Sequence, residues 1–375
     1  MMAERWAAEW EQSLDKYNFF GPDTRFVKNI SASAWDFERG WNLFESSLKT
    51  ETRYFNKSAE HLLTSIFEGI HGYYTRLGRS AILEAGPRTD LTRLYRAREF
   101  QSERELREAI KRPDLEVGPP PTARAVAGRM NAAGIAVFYG ATDPDVALAE
   151  VRPPVGCKVL IGCFEIIRPL KLLDLSALND LRDDEGSLFD ELYRRRIKRA
   201  KFLRGLSWRL SKAVLPNDQP TEYLPTQAIA DFLASAECPP LPLDGIVYPS
   251  VQAGYPGPGG QKNGLLGMHR KEHFNVVLFH KAAHVQPLDN GEDINVSDDS
   301  LYMVPGYLND GPDVQYTVWI GKSKNSSPQE TDSDDSTLKF SSLEVRYVKA
   351  VKFETGSSSI PRYSAPEKPE QEKET

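Results

Sequence analysis

Residues 127–150, AGRMNAAGIAVFYGATDPDVALAE, contain the signals that decide how the middle of the chain folds. A turn precedes the apolar run Ile135–Tyr139, which is typical of a buried strand. Thr142 or Asp143 can cap the helix that follows, with Pro144 at its first position, where the missing N–H costs nothing. A buried strand followed closely by a capped helix predicts a domain that mixes helices with strands.

The same alternation continues on both sides of this stretch. Short apolar runs bounded by turn residues predict strands, and longer stretches with a helical period lie between them. We therefore predict a mixed α/β domain over residues 89–285. Its predicted strands are Ile135–Tyr139, Val159–Ile167, Gly245–Tyr248 and Phe274–Phe279, and its predicted helices are Glu103–Lys111, Asp143–Val151, Leu188–Leu203 and Thr226–Ala234.

Residues 1–88 have a helical period and no strand alternation. Gly86–Pro87 breaks this pattern, so we expect a domain boundary there. The predicted class is α+β, with a helical N-terminal domain before the mixed α/β domain. The predicted N-terminal helices are Trp6–Tyr17, Asp36–Lys49 and Ser58–Tyr74.

The chain becomes polar after residue 285. Two alternating segments, Val314–Ile320 and Leu343–Tyr347, predict strands within an extension over residues 286–355. The serine- and acid-rich segment between them, Ser323–Thr337, is expected to be a loop. Proline, serine and charged residues dominate residues 356–375, which predicts a disordered tail.

Composition restricts the class of protein. The 375 residues include 47 basic and 53 acidic side chains, a formal net charge of −6, which disfavours a dedicated binder of duplex DNA. No apolar run approaches the ~20 residues of a membrane span, and the N-terminus lacks the regions of a secretory signal. Three cysteines make no disulfide framework, which is typical of a reducing compartment. Together these features predict a soluble cytoplasmic protein that contacts no membrane.

One basic run needs its own interpretation. Arg194–Arg199 and Lys201 lie on a predicted helix, and the acidic cluster Asp183–Glu185 precedes them. This pattern favours a solvated or internally compensated helix face over a nucleic-acid patch. The histidines and cysteines have no spacing that indicates a metal site.

Glu150 is the first candidate for chemistry. It falls about two turns into its helix among small apolar residues, so its carboxylate is expected to be paired or to line a cleft. The alternative is a half-exposed glutamate in a salt bridge with Arg152 or another base. Arg129 is similarly open, although Gly128 and Asn131 indicate a backbone shaped closely to a ligand or a turn.

Arg96 is the second candidate. Leu91–Arg98 alternates basic and apolar residues, which predicts a strand with Arg96 on one face and Tyr95 on the other. A guanidinium that points toward a cleft suits an anionic ligand, because its planar donors match a phosphate. The alternative is a solvated edge strand.

Seven short motifs in order give the chain a resemblance to the RES domain family, which is named for an arginine, a glutamate and a serine. The resemblance extends over roughly residues 91–281, and residues 1–88 look like the HEPN-type helical domain fused to some RES proteins. The motifs are Tyr95-Arg96, Gly128-Arg129-x-Asn131, Phe138-Tyr139, Ala147-x-x-Glu150, Thr226-Gln227-Ala228-Ile229, Tyr248-Pro249-Ser250 and Asn275–Phe279.

The resemblance implies an enzyme that degrades NAD+ and has a fold similar to that of ADP-ribosyltransferases. Characterised members are toxins of toxin–antitoxin pairs that break the nicotinamide–ribose bond, by phosphorolysis or hydrolysis. NAD+ is then the substrate, inorganic phosphate or water is the acceptor, and no metal is needed. An antitoxin or regulatory protein is an implied partner, and the oligomeric state stays open.

The resemblance also implies roles for individual residues. Glu150 is the implied catalytic carboxylate, Arg96 holds a phosphate group, and Tyr139 packs on the nicotinamide or its ribose. Ser250 is the best match to the family serine, although some members place theirs nearer the segment that matches Leu224–Gln227. The implied NAD+-binding residues are Arg129, Asn131, Thr226, Gln227 and Ser250.

Two other functions fit the same residues. One is a transferase that uses the same cleft to attach ADP-ribose to a protein or nucleic acid, and the other is a non-catalytic nucleotide-binding module. In the N-terminal segment, Arg53 and His61 lie too far apart for the ribonuclease pattern of HEPN proteins. We therefore expect that segment to regulate or recruit.

Overall fold

The computed structural model describes residues 37–182, 187, 189–212, 214–235, 242–250, 273–288, 303–305, 314–316 and 336–352. The α-helices in these residues are α1 (Phe37–Thr50), α2 (Lys57–Phe67), α3 (Glu103–Lys111), α4 (Pro113–Glu116), α5 (Pro144–Val151), α6 (Leu175–Leu178), α7 (Glu191–Ser211), α8 (Gln219–Glu222) and α9 (Leu224–Ala234). The strands are β1 (Ile82–Ala85), β2 (Arg93–Phe100), β3 (Phe138–Ala141), β4 (Lys158–Ile166), β5 (Leu170–Asp174), β6 (Gly245–Pro249), β7 (Phe274–Leu278), β8 (Met303–Pro305), β9 (Val314–Tyr316) and β10 (Leu338–Tyr347). Short 3₁₀ helices lie at Ile70–Gly72, Thr122–Arg124, Pro216–Asp218 and His280–Ala282.

Eight of these strands form one mixed sheet in the order β1-β5-β6-β7-β3-β2-β4-β10. β5 and β6 are parallel, and the other neighbours are antiparallel. β8 and β9 pair separately. The chain therefore has the α+β class predicted from its sequence.

Both faces of the sheet pack against a hydrophobic cluster. Successive side chains of a strand point to opposite faces, so neighbouring residues belong to different clusters. Leu172 of β5 and Val276 of β7 belong to one hydrophobic cluster. Their neighbours Leu173 and Val277 belong to another.

Helices α1, α2, α7 and α9 cover the face at Leu173. The ring of Trp41 in α1 lies 5.7 Å from that of Phe202 in α7, and Phe67 in α2 stacks 6.1 Å from Phe232 in α9. This cluster joins elements from before and after Gly86–Pro87, and β1 pairs with β5 across the same point. The division into domains at this position stays a prediction.

The opposite face carries α3 and an aromatic pair. Leu106 and Ile110 of α3 are buried in this cluster, where Phe138 of β3 meets Phe164 of β4 edge to face at 5.2 Å.

A third, smaller cluster packs α5 against the sheet beside β2 and β3. Its small residues let the helix lie close to the strands, which positions the end of α5 over the sheet; they are Val146, Ala147, Ala97 and Ala141.

Most predicted elements of residues 89–285 are confirmed, and the differences lie at their ends. β3 begins at Phe138 and not at Ile135, because Asn131 Nδ2 donates to the Ile135 carbonyl oxygen and holds it in the preceding turn. α7 begins at Glu191, where Asp190 caps it, and continues past the predicted end to Ser211.

The predicted helix Ser58–Tyr74 is too long. α2 ends at Phe67, because Gly69 adopts a left-handed conformation (φ 69°) and a 3₁₀ turn follows it. Asn56 caps the start of this helix by accepting from the Ala59 N–H at 3.0 Å.

The predicted strand near Leu343 is β10, which extends the sheet by pairing with β4, with a register shift between Phe340 and Ser342. The predicted helix Trp6–Tyr17, nearly all of the loop Ser323–Thr337 and the tail 356–375 lie outside the described residues. Among the helices of the described ranges, none has the length and apolar character needed to cross a bilayer.

Candidate active site

A cleft opens in the middle of the sheet, where β2 and β3 meet. The two strands share a single paired position, Tyr95 with Ala141, which is the last residue of β3. The cleft has a volume of about 280 Å³. It is lined by Tyr95, Arg96 and Ala97 of β2, Tyr139, Gly140 and Ala141 of β3, Ala147, Glu150 and Val151 of α5, Tyr248 of β6 and Asn275 of β7.

Local sequence places Glu150 at this cleft. Asp143 caps α5 by accepting from the Asp145 N–H at 2.8 Å, and Pro144 fills the first helical position. The helix ends at Val151, because the next residue, Arg152, takes a left-handed conformation with φ 47°. Glu150 is therefore in the last turn of a short helix, with its side chain at the cleft wall.

The carboxylate of Glu150 is anchored through one oxygen. Ser250 Oγ and Asn275 Nδ2 both donate to Oε1, each at 2.7 Å. Glu150 forms no ion pair with Arg152 or any other base among the described residues, and Oε2 accepts no hydrogen bond from them. The carboxylate is therefore held in place through Oε1, and Oε2 is open to a ligand in the cleft.

Arg96 brings positive charge to the same cleft. Its guanidinium carbon lies 5.5 Å from the centre of the Phe138 ring. Nη1 is buried without a hydrogen-bond partner, and the described residues include no acid paired with this side chain. Burial, with a smaller contribution from the positive charge of Arg98, lowers the pKa of Arg96 to about 10. A partly buried cation with one buried, unused donor fits a site for an anion.

Tyr139 lines the cleft with its ring, and the other end of its side chain is fixed by the turn before β3. Its hydroxyl donates to Asn131 Oδ1 at 2.8 Å and accepts from the Met130 N–H at 3.0 Å. Burial raises the pKa of Tyr139 to about 12, so the phenol keeps its proton near neutral pH.

Asn131 is buried and bonded entirely within the protein. Its Nδ2 lies within hydrogen-bond distance of the carbonyl oxygens of Val126, Ala132 and Ile135 at 2.9–3.1 Å, and its Oδ1 accepts from Tyr139. These contacts suit a residue that positions Tyr139. A direct role of Asn131 in binding NAD+ stays a prediction.

Two side chains at the start of α9 form hydrogen bonds with the turn that precedes β3. Thr226 Oγ1 lies within hydrogen-bond distance of the carbonyl oxygens of Arg129 and Tyr223, and Gln227 Nε2 donates to the Gly128 carbonyl oxygen at 2.8 Å. The motif at residues 226–227 therefore acts on the backbone at 128–129 in this structure. Neither side chain lines the cleft.

Arg129 lies beside the cleft and not in its wall. Its Nη1 donates to the Leu210 carbonyl oxygen at 3.0 Å, and its guanidinium lies 4.9 Å from the centre of the Tyr223 ring. Its charge also acts on the phenols of Tyr139 and Tyr248. Arg129 is thus close enough to influence the cleft electrostatically.

Ser250, the best sequence match to the family serine, is fully buried and bonded to Glu150. The other segment considered for that serine, Leu224–Gln227, contacts the turn at 128–129 instead. The structure thus brings Arg96, Tyr139 and Glu150 together in the cleft wall and bonds the buried Ser250 to Glu150. The remaining predicted residues lie around the cleft.

Among the cleft residues with polar side chains, three were not predicted as site residues. Tyr95 precedes Arg96, and Tyr248 and Asn275 sit opposite each other on β6 and β7. Burial, followed by the negative charge of Glu150, raises the pKa of Tyr248. A polar residue opening the apolar run Asn275–Phe279 is a signal that could have identified Asn275.

The turn before β3 needs a residue without a side chain at position 128, where the chain has glycine. A Cβ at this position would lie 2.6 Å from both the Tyr139 hydroxyl and Asn131 Oδ1. We expect Gly128→Ala to displace Tyr139, lower the melting temperature and weaken ligand binding at the cleft. Overpacking of this kind typically costs ~1–3 kcal/mol, measurable by thermal denaturation.

Gly205 provides the matched control, because a Cβ there would meet nothing within 4 Å and the residue lies on helix α7. Gly205→Ala should be neutral or stabilising by about 0.5–1 kcal/mol. Equal stability of the two variants would show that the space around Gly128 is not restricted.

The fold and the cleft define an α+β domain with a carboxylate and an uncompensated arginine facing a gap in a mixed sheet. The family model of the RES domain matches residues 93–297, more than half of the chain. The chain therefore belongs to the RES domain family, which is associated with NAD+-related toxin activity and, in general, with an enzymatic role on NAD+.

No curated protein and no solved structure matches the chain. The likeness to ADP-ribosyltransferases and the HEPN-type assignment of residues 1–88 stay predictions, as do the roles of the individual site residues. Within the described ranges, no group of three or more histidine, cysteine, aspartate or glutamate side chains is arranged to hold a metal ion.

Proposed function

We propose that the protein breaks the N-glycosidic bond between nicotinamide and ribose in NAD+, as an NAD+ phosphorylase or glycohydrolase. The observation that supports this proposal is that Arg96 and Glu150 line the same cleft. Arg96 has a buried donor without a partner, and Glu150 has one anchored and one open oxygen. NAD+ offers a group for each, since its pyrophosphate is anionic and its reacting ribose becomes cationic.

The cleft suits one end of NAD+ better than the whole molecule. Its volume of about 280 Å³ is at the lower end of the roughly 300–1,000 Å³ typical of ligand pockets. Tyr95, Tyr139 and Tyr248 supply flat walls for a nicotinamide ring and its ribose. The pyrophosphate would then extend past Arg96 toward the outside.

The reaction needs only groups that the cleft provides. As the C–N bond breaks, its electron pair goes to the ring nitrogen, which neutralises the charge of the nicotinamide. The ribose carbon gains oxocarbenium character, and the open oxygen of Glu150 stabilises that charge or orients the attacking oxygen. Attack by phosphate gives an ADP-ribose phosphate ester, and attack by water gives ADP-ribose and a proton.

The phenol of Tyr139 keeps its proton, so it adds no negative charge that would stabilise the nicotinamide cation of bound NAD+ over the neutral nicotinamide that leaves. Ser250 and Asn275 hold the carboxylate in place before the substrate arrives, so little reorganisation is needed during bond breaking. An enzyme of this kind would drain NAD+ from the cell, which fits the toxin activity associated with the family.

Product analysis tests the proposal. We expect purified protein to release free nicotinamide from NAD+, with ADP-ribose in the absence of phosphate or its phosphate ester in its presence. The measurement is chromatography of the reaction with and without inorganic phosphate. ADP-ribose retained on a protein or nucleic acid would indicate a transferase, and NAD+ bound but unconsumed would indicate a nucleotide-binding module.

A further inference from the structure

Helix α7 contains the basic run Arg194–Arg199, and two sets of basic residues on this helix differ in their contacts. The inward set is paired with acids of the same chain. Arg195 and Arg199 pair with Glu68 at 3.7 and 2.5 Å, and Arg209 pairs with Glu38 at 2.5 Å. These ion pairs hold α7 against the N-terminal helices, and the two glutamates offset two of the three positive charges.

The outward set has no such partners. Arg194, Lys198 and Lys201 are exposed, and none of them forms an ion pair or side-chain hydrogen bond within the described part of the chain. Their spacing of four and three residues puts them on one line along the helix. The sequence alone could not separate them from the paired bases, because Arg195 and Arg199 alternate with them along the same helix.

The same line continues to an exposed aromatic ring. Gly205 and Trp208 follow Lys201 at spacings of four and three residues, and Trp208 is 53% exposed. Gly205 has nothing within 4 Å of where a Cβ would stand, so the surface between Lys201 and Trp208 is open. At 1.5 Å per residue, the line from Arg194 to Trp208 is about 21 Å long.

We propose that this basic stripe, defined as Arg194, Lys198, Lys201 and Trp208, binds single-stranded nucleic acid. Three cations in a row suit successive phosphates, and an exposed indole at the end of the row suits a stacked base. Stacking requires an unpaired base, so a single strand fits better than a duplex.

Other anionic partners fit the basic stripe less well. Lysine is depleted at protein–protein interfaces, yet it supplies two of the three cations. A helix that inserts into a lipid surface needs a broad apolar face, whereas this stripe has Trp208 alone. The net charge of −6 disfavours general affinity for polyanions, so binding should depend on this one surface.

Binding of a short fluorescent mixed-sequence RNA to the full chain, followed by anisotropy over a range of salt concentrations, tests this proposal. We expect binding at low salt, with log K falling against log salt with a slope of about −2, since each phosphate contact contributes ~0.7 for single strands. The triple variant Arg194→Glu, Lys198→Glu, Lys201→Glu should lose at least tenfold in affinity and most of that slope.

A second triple variant controls for net charge. Lys339, Lys349 and Lys352 are exposed and unpaired within the described residues, so changing all three to Glu alters the total charge equally. It should change affinity far less than the stripe variant. Trp208→Leu should weaken RNA binding about fivefold or more. Trp208→Phe should retain most of the binding, because a phenyl ring can still stack on a base and a leucine side chain cannot.

Absence of RNA binding at low salt by a protein with a normal melting curve would overturn the proposal. Equal losses in the two triple variants would also overturn it, as would tighter binding of an acidic peptide or of anionic vesicles than of RNA. Turnover of NAD+ by the stripe variants should stay at the wild-type level, which separates this surface from the cleft.

Discussion

Glu150→Gln is expected to reduce the rate of NAD+ cleavage by about 10²–10³, the typical cost of losing one preorganised electrostatic partner. Glutamine keeps the size of the side chain, and its amide oxygen can still accept from Ser250 and Asn275. What disappears is the negative charge that faces the ribose as it becomes cationic. The measurement is the initial rate of nicotinamide release at saturating NAD+.

The same variant should bind NAD+ nearly as well as the wild type, because in the ground state the positive charge is still on the nicotinamide. Its melting temperature should change little. Glu84→Gln is a matched control, since Glu84 is exposed on β1 and has no ion pair in the described ranges. Near wild-type turnover by Glu150→Gln would remove Glu150 from the chemistry.

Arg96→Met is expected to have opposite effects on binding and on stability. Methionine removes the guanidinium, whose carbon lies 5.5 Å from the centre of the Phe138 ring, and keeps an unbranched apolar side chain. NAD+ affinity should fall by roughly 10- to 150-fold, which corresponds to the ~1.5–3 kcal/mol of a hydrogen bond to a charged group. The melting temperature of the ligand-free protein should rise, because a buried cation without an acidic partner opposes folding.

Calorimetric titration with NAD+ and thermal denaturation measure these two effects. Arg93→Met is the control on the same strand, because Arg93 forms an exposed pair with Glu165 at 3.2 Å and lies outside the cleft wall. Such surface pairs contribute about 0–1 kcal/mol. If Arg96→Met lowered the melting temperature and left NAD+ affinity unchanged, the side chain would have a packing role and no phosphate to bind.

The sequence predicted the fold class and most of the elements because hydrophobic period and capping residues act locally. Asp143 and Pro144 define the start of α5, and Glu150 follows at a fixed distance along it. Helix ends were less predictable. Gly69 could have continued a helix at modest cost, and only the observed left-handed conformation shows that it ends one.

The candidate site was predicted in part. Arg96, Tyr139 and Glu150 lie in one cleft, yet Tyr248 and Asn275 enter it through strand pairings that connect distant parts of the chain. Sheet order is a long-range property, so no local pattern reveals which strand ends converge.

The motif at Thr226 and Gln227 presents a different difficulty. A polar side chain that bonds a ligand and one that bonds the protein's own backbone look alike in a sequence. Here both side chains bond the turn at Gly128–Arg129. Their contacts indicate that this part of the motif shapes the site.

The most direct test of NAD+ cleavage at this cleft is a single-turnover experiment with NAD+ and the purified wild-type chain in equal amounts. Proton NMR reports binding through broadening of the nicotinamide resonances and cleavage through the appearance of free nicotinamide. We expect both signals from the wild type and broadening alone from Glu150→Gln. NAD+ that remains intact beside folded wild-type protein, with and without phosphate, would contradict the proposed activity.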